Sequence, residues 1–163
     1  SRIWATYNKR TDFLDKSPIM LGRILASDLA TYQRRVIDLD SMITSQRANA
    51  AYDESHLQID SDMFCLEHPS AFYNRFLYPI IFPTAELRNK VAAFLFSHGI
   101  GTSRPYEEAI EGATRFYAYS GDCPVAERLL KTTLVIPSYF RLNLAVIEQI
   151  TGHINAIWTR IRK

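Results

Sequence analysis

The sequence predicts an α/β protein in which helices cover a small sheet of about three strands, with one long helix ahead of the sheet. Short runs rich in Phe, Tyr, Ile and Val end at Pro83 and Pro137, which favours strands because proline cannot continue a hydrogen-bonded ladder. Apolar residues recur at helical spacing before, between and after these runs. The 163 residues are 47% hydrophobic, enough to bury a sizeable core.

Two patterns divide the first third of the chain. Residues 1–20 mix aromatic, polar and charged side chains without a period, and Pro18 interrupts any helix there, so we interpret them as an N-terminal arm. Residues 21–57 contain no proline, and their apolar residues recur near helical spacing, which predicts one long connecting helix. A helix of this length is expected to pack against more than the sheet of its own domain.

Residues 58–163 are predicted to form a small C-terminal α/β domain. After a loop, the run NRFLYPIIFP predicts a strand, and TAELRNKVAAFLFSHG predicts a helix with Thr84 as its N-cap and Gly99 as its stop. The stretch IGTSRPY predicts a second short strand. Residues 107–123 then form a long connection, which in a compact domain suggests a functional loop.

The end of the chain predicts a helix, a strand and a second helix. CPVAERLLKT predicts a short helix opened by Pro124, and TLVIP predicts the third strand. LAVIEQITGHINAIWTRIRK predicts an amphipathic closing helix capped by Asn143. The predicted order of the small domain is therefore β-α-β-α-β-α.

Charge and cysteine content argue against several classes of protein. The 19 basic and 17 acidic residues give a net charge of +2, which offers no electrostatic reason to expect nucleic-acid binding. Cys65 and Cys123 lie far apart, and neither they nor the histidines have metal-ligand spacing, so we predict no metal site. No apolar run approaches the roughly 20 residues of a membrane-spanning helix. We expect a cytoplasmic protein with reduced thiols, although one disulfide remains an alternative.

The best local candidate for a binding site is the segment of residues 102–119. Its arginines, tyrosines and hydroxyl side chains can hydrogen-bond to a polar anionic ligand and stack on it. The alternative is that the aromatic side chains anchor a long loop to the core. Glu107 and Glu108 lack supporting neighbours in the sequence and are interpreted as part of a solvated face.

Three stretches follow one another in an order typical of one enzyme family. They are FLYPIIFPTAELRNKVAAFLFSHGIGTSRPY, then GDCPVAERLLKTTLVIPSYF, then the closing helix. Together they resemble the C-terminal domain of the DegT/DnrJ/StrS-type aminotransferases, and RANAAYDE resembles part of the connecting helix of that family. The resemblance extends over residues 22–160 and implies the small domain of an aspartate-aminotransferase-like, type I pyridoxal-phosphate (PLP) fold.

The resemblance also implies an activity. The full enzyme would use PLP to move an amino group from an amino acid, often glutamate, to a keto sugar attached to a nucleotide. Arg104, Tyr106 and Tyr117 would make substrate-side contacts, and Arg23 would contact the cofactor phosphate across a dimer. The Schiff-base lysine of the family lies in an N-terminal PLP-binding domain, and no lysine of this chain has that sequence context. We therefore expect the chain alone to be inactive.

The sequence leaves other functions open. The chain could be a non-catalytic module that dimerises through the long helix or binds a ligand, and an exposed apolar stripe on that helix would favour such a module. It could also be one half of a split enzyme whose lysine-bearing domain is a separate chain. A stand-alone small-molecule sensor is a further alternative, with its ligand bound at residues 102–119.

Overall fold

The computed structural model of the chain describes residues 26–162, and the chain divides into two units, with Asp38 as the last residue of the first and Leu39 as the first residue of the second. In the first unit the described residues form helix α1, Ala26–Ile37. In the second unit they form a short 3-10 turn, Ser61–Met63, and seven regular elements. These are α2 (Leu39–His56), β1 (Tyr78–Ile81), α3 (Ala85–Ser97), α4 (Ala109–Tyr117), α5 (Pro124–Thr132), β2 (Thr133–Ile136) and α6 (Leu144–Ile161).

Helices α1 and α2 occupy most of the stretch predicted as one long connecting helix. The residue between them, Asp38, is not helical. Aspartate is a weak helix former because its side chain competes for backbone hydrogen bonds, whereas Asp40, in the first turn of α2, complements the helix dipole. Residues 1–25, which include the predicted arm and Arg23, lie outside the described residues.

The described residues contain a two-stranded antiparallel sheet, so the α/β class is confirmed with one strand fewer than predicted. Tyr78 pairs with Ile136, and the register continues to Ile81 opposite Thr133. The Val135 backbone exchanges both its hydrogen bonds with Ser103 instead of with β1. Pro79 lies opposite Val135 in β1, and its missing N–H therefore costs no ladder bond.

Two prolines explain why IGTSRPY forms one bridge and not the predicted strand. In an antiparallel ladder the hydrogen-bonded pairs recur every second residue, so the bridge between Ser103 and Val135 would continue at Pro105 on one side and at Pro137 on the other. Neither proline has an N–H to donate. The ladder therefore ends after a single pair.

The core lies between the sheet and helices α2, α3 and α6. Inward-facing strand residues pack with the apolar stripes of the helices, and Phe82 meets Trp158 edge-to-face at a centroid distance of 5.8 Å. The predicted N-caps are confirmed. The Thr84 hydroxyl accepts from the Leu87 amide at 3.2 Å, and the Asn143 side chain accepts from the Val146 amide at 3.0 Å.

A buried carboxyl group, Asp53, joins α2 to α6. The Thr151 hydroxyl lies 2.7 Å from Asp53 Oδ1 and 2.9 Å from the Ile147 carbonyl oxygen. The Thr151 hydroxyl has one proton, which it must share between the two acceptors when Asp53 is ionised, whereas a protonated Asp53 can donate to Thr151 and leave that proton to the Ile147 carbonyl. Burial raises the pKa of Asp53 to about 7, and the neighbouring Glu54 adds to this shift.

The stability of the chain should therefore fall as the pH rises from about 5 to about 8. The folded-state pKa of Asp53 is above its value in the unfolded chain, so the proton bound in the fold stabilises it at low pH and is lost as the pH passes 7. We expect a decrease of roughly 2–3 kcal/mol in the free energy of unfolding. Denaturant titrations at a series of pH values will measure it.

The Asp53→Asn variant should lose most of this pH dependence and exceed the wild type in stability at about pH 8, because an amide can donate to Thr151 without ionising. The control is Asp62→Asn, at an exposed aspartate. Other ionisable groups near Asp53 are Tyr52, Glu54 and His56 on α2 and Tyr78 on β1, whereas Thr151 of α6 is neutral. Equal pH profiles for the wild type and Asp53→Asn would contradict the assignment.

Candidate functional site

The candidate segment, residues 102–119, follows a glycine turn at the end of α3. Gly99 has a φ of 77°, a left-handed conformation that favours glycine, and the Ile100 amide donates back to α3 at 3.0 Å. The chain then reaches Ser103, which exchanges hydrogen bonds of 3.0 and 2.8 Å with Val135. This bridge holds the start of the segment beside β2.

The middle of the segment is helical, which corrects the prediction of an irregular connection over residues 107–123. Helix α4 spans Ala109–Tyr117, and none of its residues is buried. Tyr106 before it and Ala118 after it have φ values of 60° and 51°, left-handed values that are uncommon outside glycine. Gly112 is a poor helix former in the middle of this stretch, so the sequence pattern alone favours a loop.

The end of the segment is attached to α5 through Tyr119. Its hydroxyl donates to Glu127 Oε1 at 3.1 Å and accepts from the Cys123 amide at 2.9 Å. Gly121, with a φ of 84°, allows the chain to turn between these contacts. Desolvation raises the pKa of Tyr119, which keeps its hydroxyl protonated and able to donate.

The three predicted substrate residues in this segment are all accessible. Arg104 has a side chain that is 40% exposed, and Tyr106 and Tyr117 are 75% and 83% exposed. Arg104 and Tyr106 lie two residues apart at the start of the segment, whereas Tyr117 is the last residue of α4. Within the described residues, no hydrogen bond or ion pair joins Tyr117 to the other two. Their roles in binding remain predictions.

The structure adds Arg88 and Glu107, which the sequence pattern did not identify as partners. Arg88 Nη2 lies 3.1 Å from Glu107 Oε1, and Arg104 Nη1 lies 3.5 Å from Glu107 Oε2. The Arg88 side chain is only 4% exposed, while that of Glu107 is 46% exposed. Glu107 is therefore solvated as predicted, but the prediction that it lacks supporting neighbours is wrong. The sequence contained one indication that Arg88 is buried, because Arg88 falls on the same stripe of α3 as the buried Ala92.

A cleft of about 310 Å³ lies between the first turn of α3 and helix α5, and no residue of the segment lines it. Its walls are formed by Ala85, Pro124, Glu127, Arg128, Lys131 and Thr132. Lys131 Nζ lies 3.9 Å from Glu127 Oε2, so part of the positive charge in the cleft is already paired. Arg128 is exposed and could contact an anion at the mouth of the cleft.

The described residues do not provide a covalent anchor for PLP. Lys90 and Lys131 are exposed on helix surfaces and form ion pairs with Glu86 and Glu127, whereas a Schiff-base lysine needs a pocket that lowers its pKa. Lys9, Lys16 and Lys163 lie outside the described residues.

Metal ligands, thiols and apolar helices of residues 26–162 also bear on what the chain can bind. No group of three or more His, Cys, Asp or Glu side chains in this range is arranged to hold a metal ion. Cys65 and Cys123 are exposed, free thiols. None of the helices described is long and apolar enough to cross a membrane.

The fold corresponds to one part of the type I PLP-dependent aminotransferases. A model of the DegT/DnrJ/EryC1/StrS aminotransferase family matches residues 22–155, and the chain belongs to this family. The comparison with curated proteins gave no match.

Solved structures with the same fold include several aminotransferases. TlmJ, an aminotransferase from Streptoalloteichus hindustanus, has a TM-score of 0.68 at 19% identity, covering 79% of this chain and 35% of TlmJ. PseC from Helicobacter pylori, an aminotransferase involved in the biosynthesis of pseudoaminic acid, has a TM-score of 0.69 at 14% identity, covering 89% of this chain and 43% of PseC. Spr1654 from Streptococcus pneumoniae, solved in a PLP form, has a TM-score of 0.65 at 15% identity, with coverages of 79% and 34%. The chain thus spans less than half of each of these proteins.

The Tyr119 hydroxyl is expected to hold the turn between α4 and α5 in place. Tyr119→Phe removes both of its hydrogen bonds, and the Cys123 amide should then exchange with solvent on the order of tenfold faster. Tyr117→Phe is the matched control, because its exposed hydroxyl has no hydrogen bond among the described residues. Hydrogen exchange followed by mass spectrometry will compare them, and equal rates at Cys123 in both variants would refute this role.

Proposed function

We propose that the chain is the C-terminal portion of a PLP-dependent aminotransferase that transfers an amino group to a nucleotide-linked keto sugar. The main support is the family match over residues 22–155, together with the 35% to 43% of TlmJ and PseC that the chain covers. Residues 1–20 would form the arm, residues 21–57 the connection to the rest of the enzyme, and residues 58–163 the small domain.

In this proposal the segment of residues 102–119 faces the substrate. Arg104 can pair with phosphate or carboxylate oxygens, while Tyr106 and Tyr117 can donate hydrogen bonds to a sugar or stack on a ring. Their exposure leaves these side chains free to reach a ligand. The backbone contacts of Ser103 and the side chain of Tyr119 hold the two ends of the segment against the rigid part of the domain.

The cofactor chemistry is proposed to depend on a domain that supplies a Schiff-base lysine, in the same or a separate chain. PLP, bound there, supplies an electron sink for amine transfer. The residues of this chain would bind and orient the substrate, and Arg23 would contact the cofactor phosphate of the second subunit in a dimer. A cytoplasmic location also stays a prediction.

The experiment compares the complete gene product with this chain, each mixed with PLP. The complete product should develop an aldimine absorbance band between roughly 320 and 430 nm and transfer amine from glutamate, because both need the lysine-bound cofactor. This chain alone should show neither the band nor the transfer. Amine transfer by the purified chain would contradict the proposal.

One observation supports a second candidate, a non-catalytic association module. Leu29, Tyr32 and Val36 lie on one face of α1 and are exposed among the described residues. Such an apolar stripe is typical of a surface that meets another protein. A complete gene product that dimerises but shows no aldimine band with PLP would favour this function over amine transfer.

A further inference from the structure

Arg88 is a buried guanidinium with unused hydrogen-bond donors. The residue is 3% exposed, and its contact with Glu107 uses only Nη2. Its Nε and Nη1 atoms are also buried and have no hydrogen-bond partner among the described residues. A guanidinium has five N–H donors in a fixed fork, and buried donors without acceptors are costly. The surroundings of Arg88 therefore favour an additional acceptor.

The contact made by Glu107 does not use the full capacity of the two arginines that flank it. One oxygen of its carboxylate meets Arg88 at 3.1 Å, and the other meets Arg104 at the longer distance of 3.5 Å. Neither contact is the two-bond fork that arginine forms best with an oxyanion. With two guanidinium groups and one carboxylate, the cluster retains one positive charge.

The backbone that bears Glu107 is weakly held. It follows Tyr106, whose φ is 60°, and it leads into α4, which buries none of its residues. Segments with few buried contacts open at low free-energy cost, and left-handed residues other than glycine are strained. The Glu107 side chain is already 46% exposed, so its carboxylate can move fully into water without a desolvation cost of its own.

We propose that Arg88 and Arg104 form an oxyanion-binding site and that Glu107 is its internal occupant. A phosphate or carboxylate group of a ligand displaces the Glu107 carboxylate and pairs with both guanidinium groups, including the unused donors of Arg88. The geometry of the cluster defines the site, whereas its assignment to the phosphates of a sugar nucleotide rests on the proposed function.

The Glu107→Gln variant tests this proposal in the 163-residue chain. Removing the competing charge should raise the affinity for inorganic phosphate, or for glutarate as a carboxylate probe, by about tenfold as measured by titration calorimetry. Glu108→Gln is the matched control, because it makes the same chemical change one residue later, at an exposed side chain with no ion pair among the described residues. It should change the affinity by less than about twofold.

Double variants establish which side chains hold the anion. Adding Arg88→Gln to Glu107→Gln should abolish the gain in affinity. If that variant does not fold, Arg104→Gln provides the same test at an exposed position and should reduce the gain. A preference for phosphate identifies a phosphorylated ligand, a preference for glutarate identifies a carboxylate ligand, and either supports the site.

Equal affinities of Glu107→Gln and the wild type for both probes would overturn the proposal and leave Arg88 and Glu107 as a purely structural pair. The titration needs neither PLP nor amine transfer. Its failure is therefore distinguishable from a failure of the proposed function, which the absorbance and transfer assays test.

Discussion

The antiparallel pairing of β1 with β2 is the contact on which the rest of the small domain depends. Four residues from each strand form it, and Pro105 and Pro137 prevent a third strand from extending it. A sheet this small cannot bury a core by itself, so α2, α3 and α6 must cover it. The single bridge at Ser103 uses the remaining backbone groups of Val135, and it thereby sets where the candidate segment begins.

Polar contacts complete this arrangement at a few defined points. Asp53 joins α2 to α6 through Thr151, and Tyr119 attaches the far end of the segment to α5. Between the bridge at Ser103 and the Tyr119 contact, α4 lies on the surface without buried residues. A rigid frame with a weakly held segment is suited to ligand binding, because the frame positions the side chains while the segment can adjust.

Local signals in the sequence predicted the elements whose ends depend on local chemistry. Thr84 and Asn143 cap α3 and α6 where expected, and Pro124 opens α5, because each acts on a neighbouring turn. The missing third strand depends on the register between Ser103 and Val135, which no local pattern reveals. The pairing of Arg88 with Glu107 likewise joins residues 19 positions apart. The exposed positions of Arg104, Tyr106 and Tyr117 agree with a binding role without testing it.

The most direct test of the central claim, that residues 102–119 face the substrate of an aminotransferase, is hydrogen exchange on the complete gene product loaded with PLP. Exchange would be compared with and without a nucleotide-linked keto sugar. The account predicts that the amides of residues 102–119 exchange more slowly when the sugar is bound, because the ligand orders a segment that is otherwise weakly held. Protection confined to other parts of the enzyme, with this segment unchanged, would contradict it.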